Sequence, residues 1–129
     1  MNNHILTLEL LKGSYSIYKF RPDYILDREL LLDDFSSITR TKDELSVVAK
    51  ENSFCDYKNA ENGWRIIKIK GILDFSLTGI ISRISSILAD VNISVFVIST
   101  FNTDYVMIKN ETLEKAAAVL RENGYEVAD

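Results

Sequence analysis

Cysteine, histidine, proline and tryptophan occur once each in 129 residues, and glycine only five times. A single cysteine, Cys55, excludes an internal disulfide framework and, with one histidine, a Cys/His zinc cluster. That histidine, His4, lies close to the N-terminus, so a Ser-His-Asp arrangement has no plausible base. The few glycines form neither a P-loop nor a dinucleotide fingerprint. Cys55, beside Asp56, reads as a small packed residue rather than a nucleophile. No run of 18 apolar residues is present, so no membrane span is expected. The start, Met1-Asn2-Asn3-His4, lacks the charged and apolar regions of a signal peptide, and a cytoplasmic location is the expectation. Positive charge is in deficit: the formal net charge is -4, against the basic face that nucleic-acid binding requires. These shortages predict a protein with no catalytic residue, no metal and no cofactor.

What is present is a globular composition, 47% hydrophobic and 26% charged, with the length of one ordinary domain or two very small ones. The segment Ser37 to Val48 is similar to Val97 to Ile108 at an offset of 60 without gaps. Each copy has an apolar strand ending in hydroxyl residues, a polar turn with an acid, and a second apolar strand. A tandem duplication is the simplest account.

The second half has the clearer periodicity. Trp64 to Lys70 alternates as a strand. From Leu77 the apolar residues recur at 80, 81, 84, 87, 88 and 91 and draw one helical face, with Asn92 as a stop. Ser94–Thr100 and Asp104–Lys109 read as strands of a hairpin. Asn110 is a candidate N-cap for a helix over 111–123, and Gly124 its C-terminal stop. The tail around Glu126 adds an edge strand. The order is β-α-β-β-α-β, an α+β arrangement. In the first half, strands are expected at 4–11, 15–20, 35–39 and 44–49. There is room for only a turn or two of helix over 23–32, and residues 50–63 read as a connection. Asp33, Asp34, Asp43 and Glu44 read as a solvated surface.

One segment carries chemistry. Between the strand ending at Gly71 and the helix starting near Thr78 lie Asp74, Phe75, Ser76, Leu77 and Gly79. A helix start exposes N–H groups without intrahelical partners and carries partial positive charge, so it can receive a carboxylate. Asp74 can receive an ammonium. A small zwitterion satisfies both. The plainer readings are that Asp74 bonds loop amides, Ser76 or Thr78 caps the helix, Phe75 packs in the core and Gly79 permits close helix–sheet approach.

The Asp-Phe-Ser-Leu-Thr-Gly loop, the hairpin from Ser94 to Val106 and the tandem order together resemble the ACT domain family, regulatory modules that bind amino acids. The likeness extends to the ACT repeats of aspartate kinases and of cytosolic arginine sensors. It implies tandem ferredoxin-like units, a shortened one over 1–62 and a complete one over 63–129, with antiparallel sheets and helices on one face. It also implies a ligand between the loop of one unit, Asp74 to Gly79, and the second strand of a neighbour, Ile98, Ser99 and Thr100. Ser37, Ile38 and Thr39 would be the equivalents in the first copy, which lacks a matching loop and has Phe20-Arg21-Pro22-Asp23 in its place. The function so implied is a non-catalytic amino-acid sensor, a homodimer able to act on a regulated protein partner. The alternative is a structural or interaction module that no longer binds a ligand.

Overall fold

The computed structural model describes residues 6–54, 59–70 and 79–129. Among them are eight strands and two α-helices, a mixed α+β architecture. The chain divides into two compact units, Met1–Lys12 with Arg65–Asp129, and Gly13–Trp64. A division at 62/63 would put the first strand in the first unit; the contacts group it with residues 65–129 instead.

In the unit containing residues 65–129, β1 (Thr7–Leu10) and the C-terminal part of β5 (Ala60–Lys70) are antiparallel, with Leu8 opposite Ile69 and Glu9 opposite Lys68. β8 (Glu126–Ala128) lies parallel to β1. β7 (Asp104–Lys109) pairs with β5 and with β6 (Val95–Ser99), giving the order β6-β7-β5-β1-β8. α1 (Ile80–Ala89) and α2 (Leu113–Glu122) supply the other layer. Ile84 and Leu88 of α1 and Ala116 and Leu120 of α2 share one core with Leu8, Ile67, Ile69, Val106 and Ile108. The apolar face predicted for α1 is the face that is buried.

The helix ends follow their residues. Asn92 takes a left-handed φ of 61°, and the Ile93 N–H donates back to the Leu88 carbonyl at 3.0 Å, a Schellman-type stop. Gly124, φ 93°, ends α2 in the same manner. At the start of α2 the expectation fails. Asn110 is no N-cap but opens a single 3-10 turn, Asn110–Thr112, ahead of the α-helix. The Thr112 hydroxyl donates to the Lys109 carbonyl at 3.1 Å across that turn.

In the Gly13–Trp64 unit the order is β3 (Ser37–Arg40), β4 (Leu45–Lys50), β2 (Tyr15–Phe20) and the N-terminal part of β5. Between β2 and β3 the only helical element among the described residues is one 3-10 turn, Arg28–Leu31, capped by Asp27, which accepts from the Glu29 N–H at 3.1 Å. Aromatic rings supply bulk that a helix would otherwise bring. Phe20 stacks on Tyr24 with centroids 4.2 Å apart, and Phe54 sets its ring against Tyr18 at 4.9 Å and Phe20 at 5.1 Å. Each such ring buries a large apolar area. They lie against Leu45, Val47 and Ala49.

β5 is longer than the strand expected from Trp64. It starts at Ala60 and carries a bulge, since the register against β2 shifts between Tyr15–Trp64 and Ile17–Glu61. Gly63 adopts φ +83°, with nothing within 4 Å of where a Cβ would stand. The glycine is needed there for its backbone and not for space. The Gly63 N–H donates to Glu51 Oε2 at 2.6 Å, and the buried Ser16 hydroxyl donates to Asn62 Oδ1 at 2.5 Å.

The two hairpins share their pairing at an offset of 59, not 60. Arg40 opposes Leu45 and Ile38 opposes Val47; Ser99 opposes Asp104 and Val97 opposes Val106. Their turns agree in detail. The Thr41 N–H donates to the Glu44 carbonyl at 2.9 Å and Thr41 Oγ1 accepts from the Glu44 N–H at 3.2 Å. The Thr100 N–H donates to the Thr103 carbonyl at 2.8 Å and Thr100 Oγ1 accepts from the Thr103 N–H at 3.3 Å. The counterparts of Ile98, Ser99 and Thr100 are therefore Thr39, Arg40 and Thr41. The expected equivalents, Ser37, Ile38 and Thr39, lie two residues from these, a slip that keeps the face of the strand but moves each position along it.

Candidate functional site

Of the nine expected site residues, Asp74, Phe75, Ser76, Leu77 and Thr78 lie outside the described residues. The other four sit at two places in the unit containing residues 65–129.

Gly79 is the N-cap of α1, with φ 89° and ψ 5°. A left-handed N-cap is a glycine's role. Here too a Cβ would meet nothing within 4 Å, so close helix–sheet approach is not the reason for it. Among the described residues no side chain caps the helix. Its carbonyl accepts the Arg83 N–H at 3.0 Å, the first turn's ordinary bond. The first turn of α1 holds no acidic residue, and Arg83 lies exposed one turn in. A helix start with no acid in its first turn and no cap among the described residues keeps free N–H groups and partial positive charge. That is the electrostatic requirement for receiving an anion.

Ile98, Ser99 and Thr100 end β6 and open its turn. Ile98 is half-buried opposite Tyr105, while Ser99 and Thr100 are exposed. Among the described residues β6 pairs only with β7, which makes it a sheet edge. The Thr100 hydroxyl is engaged in the turn, donating to the Thr103 carbonyl at 3.0 Å. The Ser99 hydroxyl is the one in this group that is exposed and outside the turn's bonds.

Sequence reasoning missed Thr103, which holds the turn in place. It is buried, and its hydroxyl donates to the Ile69 carbonyl at 2.6 Å. Ile69 is the penultimate residue of β5, and the chain leaves β5 after Lys70 toward residues 71–78. The Thr103 bond thus brings the β6–β7 turn to the end of the sheet at which that loop begins. A threonine in a polar turn ordinarily faces solvent, so only its position against β5 distinguishes it.

Sequence reasoning also passed over Tyr15, whose phenol is shifted from its ordinary range. Burial pushes its phenol above the ordinary 10.0, and the nearby Asp34 and Asp33 carboxylates push it further in the same direction. Among the described residues no group of three or more His, Cys, Asp or Glu side chains could hold a metal ion. No described helix is long and apolar enough to cross a membrane.

The family model that matches, over residues 59–122, is that of the ACT domain. No curated protein sequence matches. Among solved structures, a protein from Agobacterium tumefaciens is similar at 31% identity and TM-score 0.90, over 98% of this chain and 95% of that one. The regulatory subunit of aspartate kinase from Thermus thermophilus, in ligand-free form, has TM-score 0.60 at 12% identity, over 87% and 93% of the two chains. The aspartate kinase of Clostridium acetobutylicum has TM-score 0.66 at 11% identity, over 95% of this chain and 35% of that enzyme. The last two likenesses are of fold alone.

Proposed function

The chain belongs to the ACT domain family, and from that premise we propose that it is a regulatory, amino-acid-binding protein of the cytoplasm without catalytic activity. The observation that carries the reading is the start of α1: a left-handed glycine N-cap, no side-chain cap and no acid in the first turn. A ligand carboxylate takes the N–H groups around Leu77 to Gly79, or the facing strand near Ile98 to Thr100. Asp74 takes the ammonium group or a cationic side chain. Phe75, Ser76 and Thr78 complete the loop side.

On this reading each unit is ferredoxin-like. In the 13–64 unit the order β3-β4-β2-β5 is that of strands 2, 3, 1 and 4 of a β-α-β-β-α-β unit whose first helix has shrunk to a 3-10 turn. In the other, β5, β6, β7 and β8 are strands 1 to 4, and β1 has entered between β5 and β8. β5 is then the last strand of one unit and the first of the next, with the Gly63 bulge where its role changes.

The facing strand comes from a second copy of the chain. β6 supports this: residues 92–103 contain no charged side chain, whereas natural edge strands left open are usually blunted by charge, proline or a bulge.

A thermal-shift series with the twenty amino acids tests the proposal. A ligand that binds only the folded state at 100 times its Kd adds about 2.7 kcal/mol of stability. Asp74→Ala removes a charge-assisted bond of about 1.5–3 kcal/mol and should weaken binding roughly ten- to a hundredfold by calorimetry. If no amino acid stabilises the chain, the sensor reading fails and the interaction-module reading replaces it.

A further inference from the structure

The two hairpins share their pairing and their turn, but different elements precede them. Ahead of β6 stands α1. Ahead of β3 the only helical element among the described residues is the 3-10 turn Arg28–Leu31. The difference is visible at matching positions of the two first strands. Val97 is half-buried opposite Val106, which shares its core with Ile84 and Leu88 of α1. Its counterpart Ile38, opposite Val47, is 50% exposed. Val47 lies with Leu45, Tyr18 and Phe20 in the core of the Gly13–Trp64 unit. Ile38 therefore continues that core's sheet face out to β3, the edge strand.

The segment that lies over this face leaves apolar side chains on its own outer surface. Tyr24, Leu26 and Leu31 pack against the core, while Ile25 between them is 90% exposed and Leu32 is 75% exposed. The Ser36 hydroxyl donates to the Leu31 carbonyl at 3.0 Å, which ties Leu32 to the start of β3. Apolar side chains exposed singly are ordinary, but three on one side of a sheet whose second layer is a single short turn make an incomplete layer. The rim is acidic. Residues 21–34 hold Asp23, Asp27, Glu29, Asp33 and Asp34 against Arg21 and Arg28. Arg21 is engaged with Asp23 at 3.4 Å, and Lys50 reaches only Asp33, at 4.0 Å. At the far end of β3, Arg40 and Lys42 are matched by Asp43 and Glu44.

We infer that this surface docks an amphipathic helix of a partner protein, basic on its polar face. The other hairpin has a helix over the corresponding face, with its apolar stripe on the sheet. What is bare in the Gly13–Trp64 unit is a face of side chains, which an apolar helix stripe fits. The acids around it select a basic partner by charge complementarity. The amino-acid site at the start of α1 does not enter the inference.

The probe is a labelled peptide with the sequence of residues 79–92, carrying Ser82→Lys, Ser86→Lys and Ala89→Lys at positions exposed on α1. It is titrated with the full chain and read by fluorescence anisotropy. Saturable binding is expected, weaker as salt is raised. A peptide with glutamate at the three positions, and one of the same composition with the apolar stripe scrambled, should bind at least about tenfold more weakly. Ile38→Asp and Ile25→Asp in the full chain should each cost about tenfold in affinity. Both variants add an acid, so a merely electrostatic attraction would strengthen and not weaken. Ile25 is 90% exposed, so its variant folds whatever the outcome for Ile38→Asp. Asp74→Ala should leave peptide binding unchanged, and Ile25→Asp should leave any amino-acid thermal shift unchanged, so that either reading can fail alone. No binding of the lysine peptide, equal binding of the scrambled one, or affinity retained by both aspartate variants overturns the inference. Self-association lost in Ile38→Asp, with no peptide bound by the wild type, would assign the surface to a second copy of the chain and overturn it as well.

Discussion

At the scale of the residue, polar groups inside the fold distinguish positions that composition treats alike. Tyr15 and Tyr18 are both buried strand tyrosines, yet the Tyr18 hydroxyl donates to the Lys50 carbonyl at 3.2 Å and the Tyr15 hydroxyl to no group among the described residues. The raised phenol of Tyr15 has a definite consequence for stability. Below its ordinary value of 10.0, folded and unfolded chains both keep the proton and the group contributes no pH dependence. Above it the unfolded chain ionises first and binds fewer protons, so stability falls as pH rises toward the folded-state value. Urea midpoints measured from pH 8 to 12 should fall for the wild type above about pH 10. Tyr15→Phe should fall less steeply and lose little at neutral pH, because no bond is removed. Thr103 presents the opposite case. Thr103→Val keeps the shape and deletes the hydroxyl that satisfies the Ile69 carbonyl. An unsatisfied buried carbonyl costs about 1–3 kcal/mol, and chemical denaturation should show that loss. Neither residue was legible beforehand. Whether a hydroxyl is satisfied depends on which distant carbonyl or carboxylate the fold brings to it.

At the scale of the element, apolar periodicity was a good guide and backbone devices were not. The buried face of α1, its stop at Asn92 and the stop of α2 at Gly124 all follow from spacing and from residues that tolerate positive φ. β5 was cut short because Glu61-Asn62-Gly63 has the composition of a loop. The structure makes it strand with a bulge, its polar groups bonded to Ser16 and Glu51. The hairpin repeat was visible but read one residue out of register, because similarity of letters fixes a pattern of apolar residues and not the turn that sets pairing. Gly63 allows a direct test. With open space around its absent Cβ, Gly63→Ala meets no clash and should cost only the left-handed backbone penalty, about 1–2 kcal/mol. A loss much above that in a denaturant titration would mean that the bulge itself has been rebuilt. The candidate loop is a different matter. Its acid, hydroxyls and glycine could be read as a binding corner from the sequence, and the structure adds the uncapped start of α1 beside it.

At the scale of the whole molecule, the proposed site is divided between two elements, the loop before α1 and the end of β6, and on the proposed reading a second copy brings them together. The loop before α1 brings donors and an acid, and the end of β6 brings the facing edge. If that edge belongs to a second copy, ligand and assembly are linked: whatever factor the ligand adds to the association constant, association must add to the ligand's affinity. This makes a quantitative expectation. Sedimentation velocity should show a concentration-dependent shift from monomer to dimer, moved to lower protein concentration by the amino acid that gives the thermal shift. The apparent Kd of that amino acid should tighten as protein concentration rises. A lysine at the exposed edge position, Ser99→Lys, introduces the charge that edge strands use against pairing. It should weaken association without lowering the urea midpoint of the monomer, because Ser99 is exposed and at the end of its strand. A ligand affinity independent of protein concentration, with Ser99→Lys still dimeric, would place the site within one chain and remove β6 from the assembly.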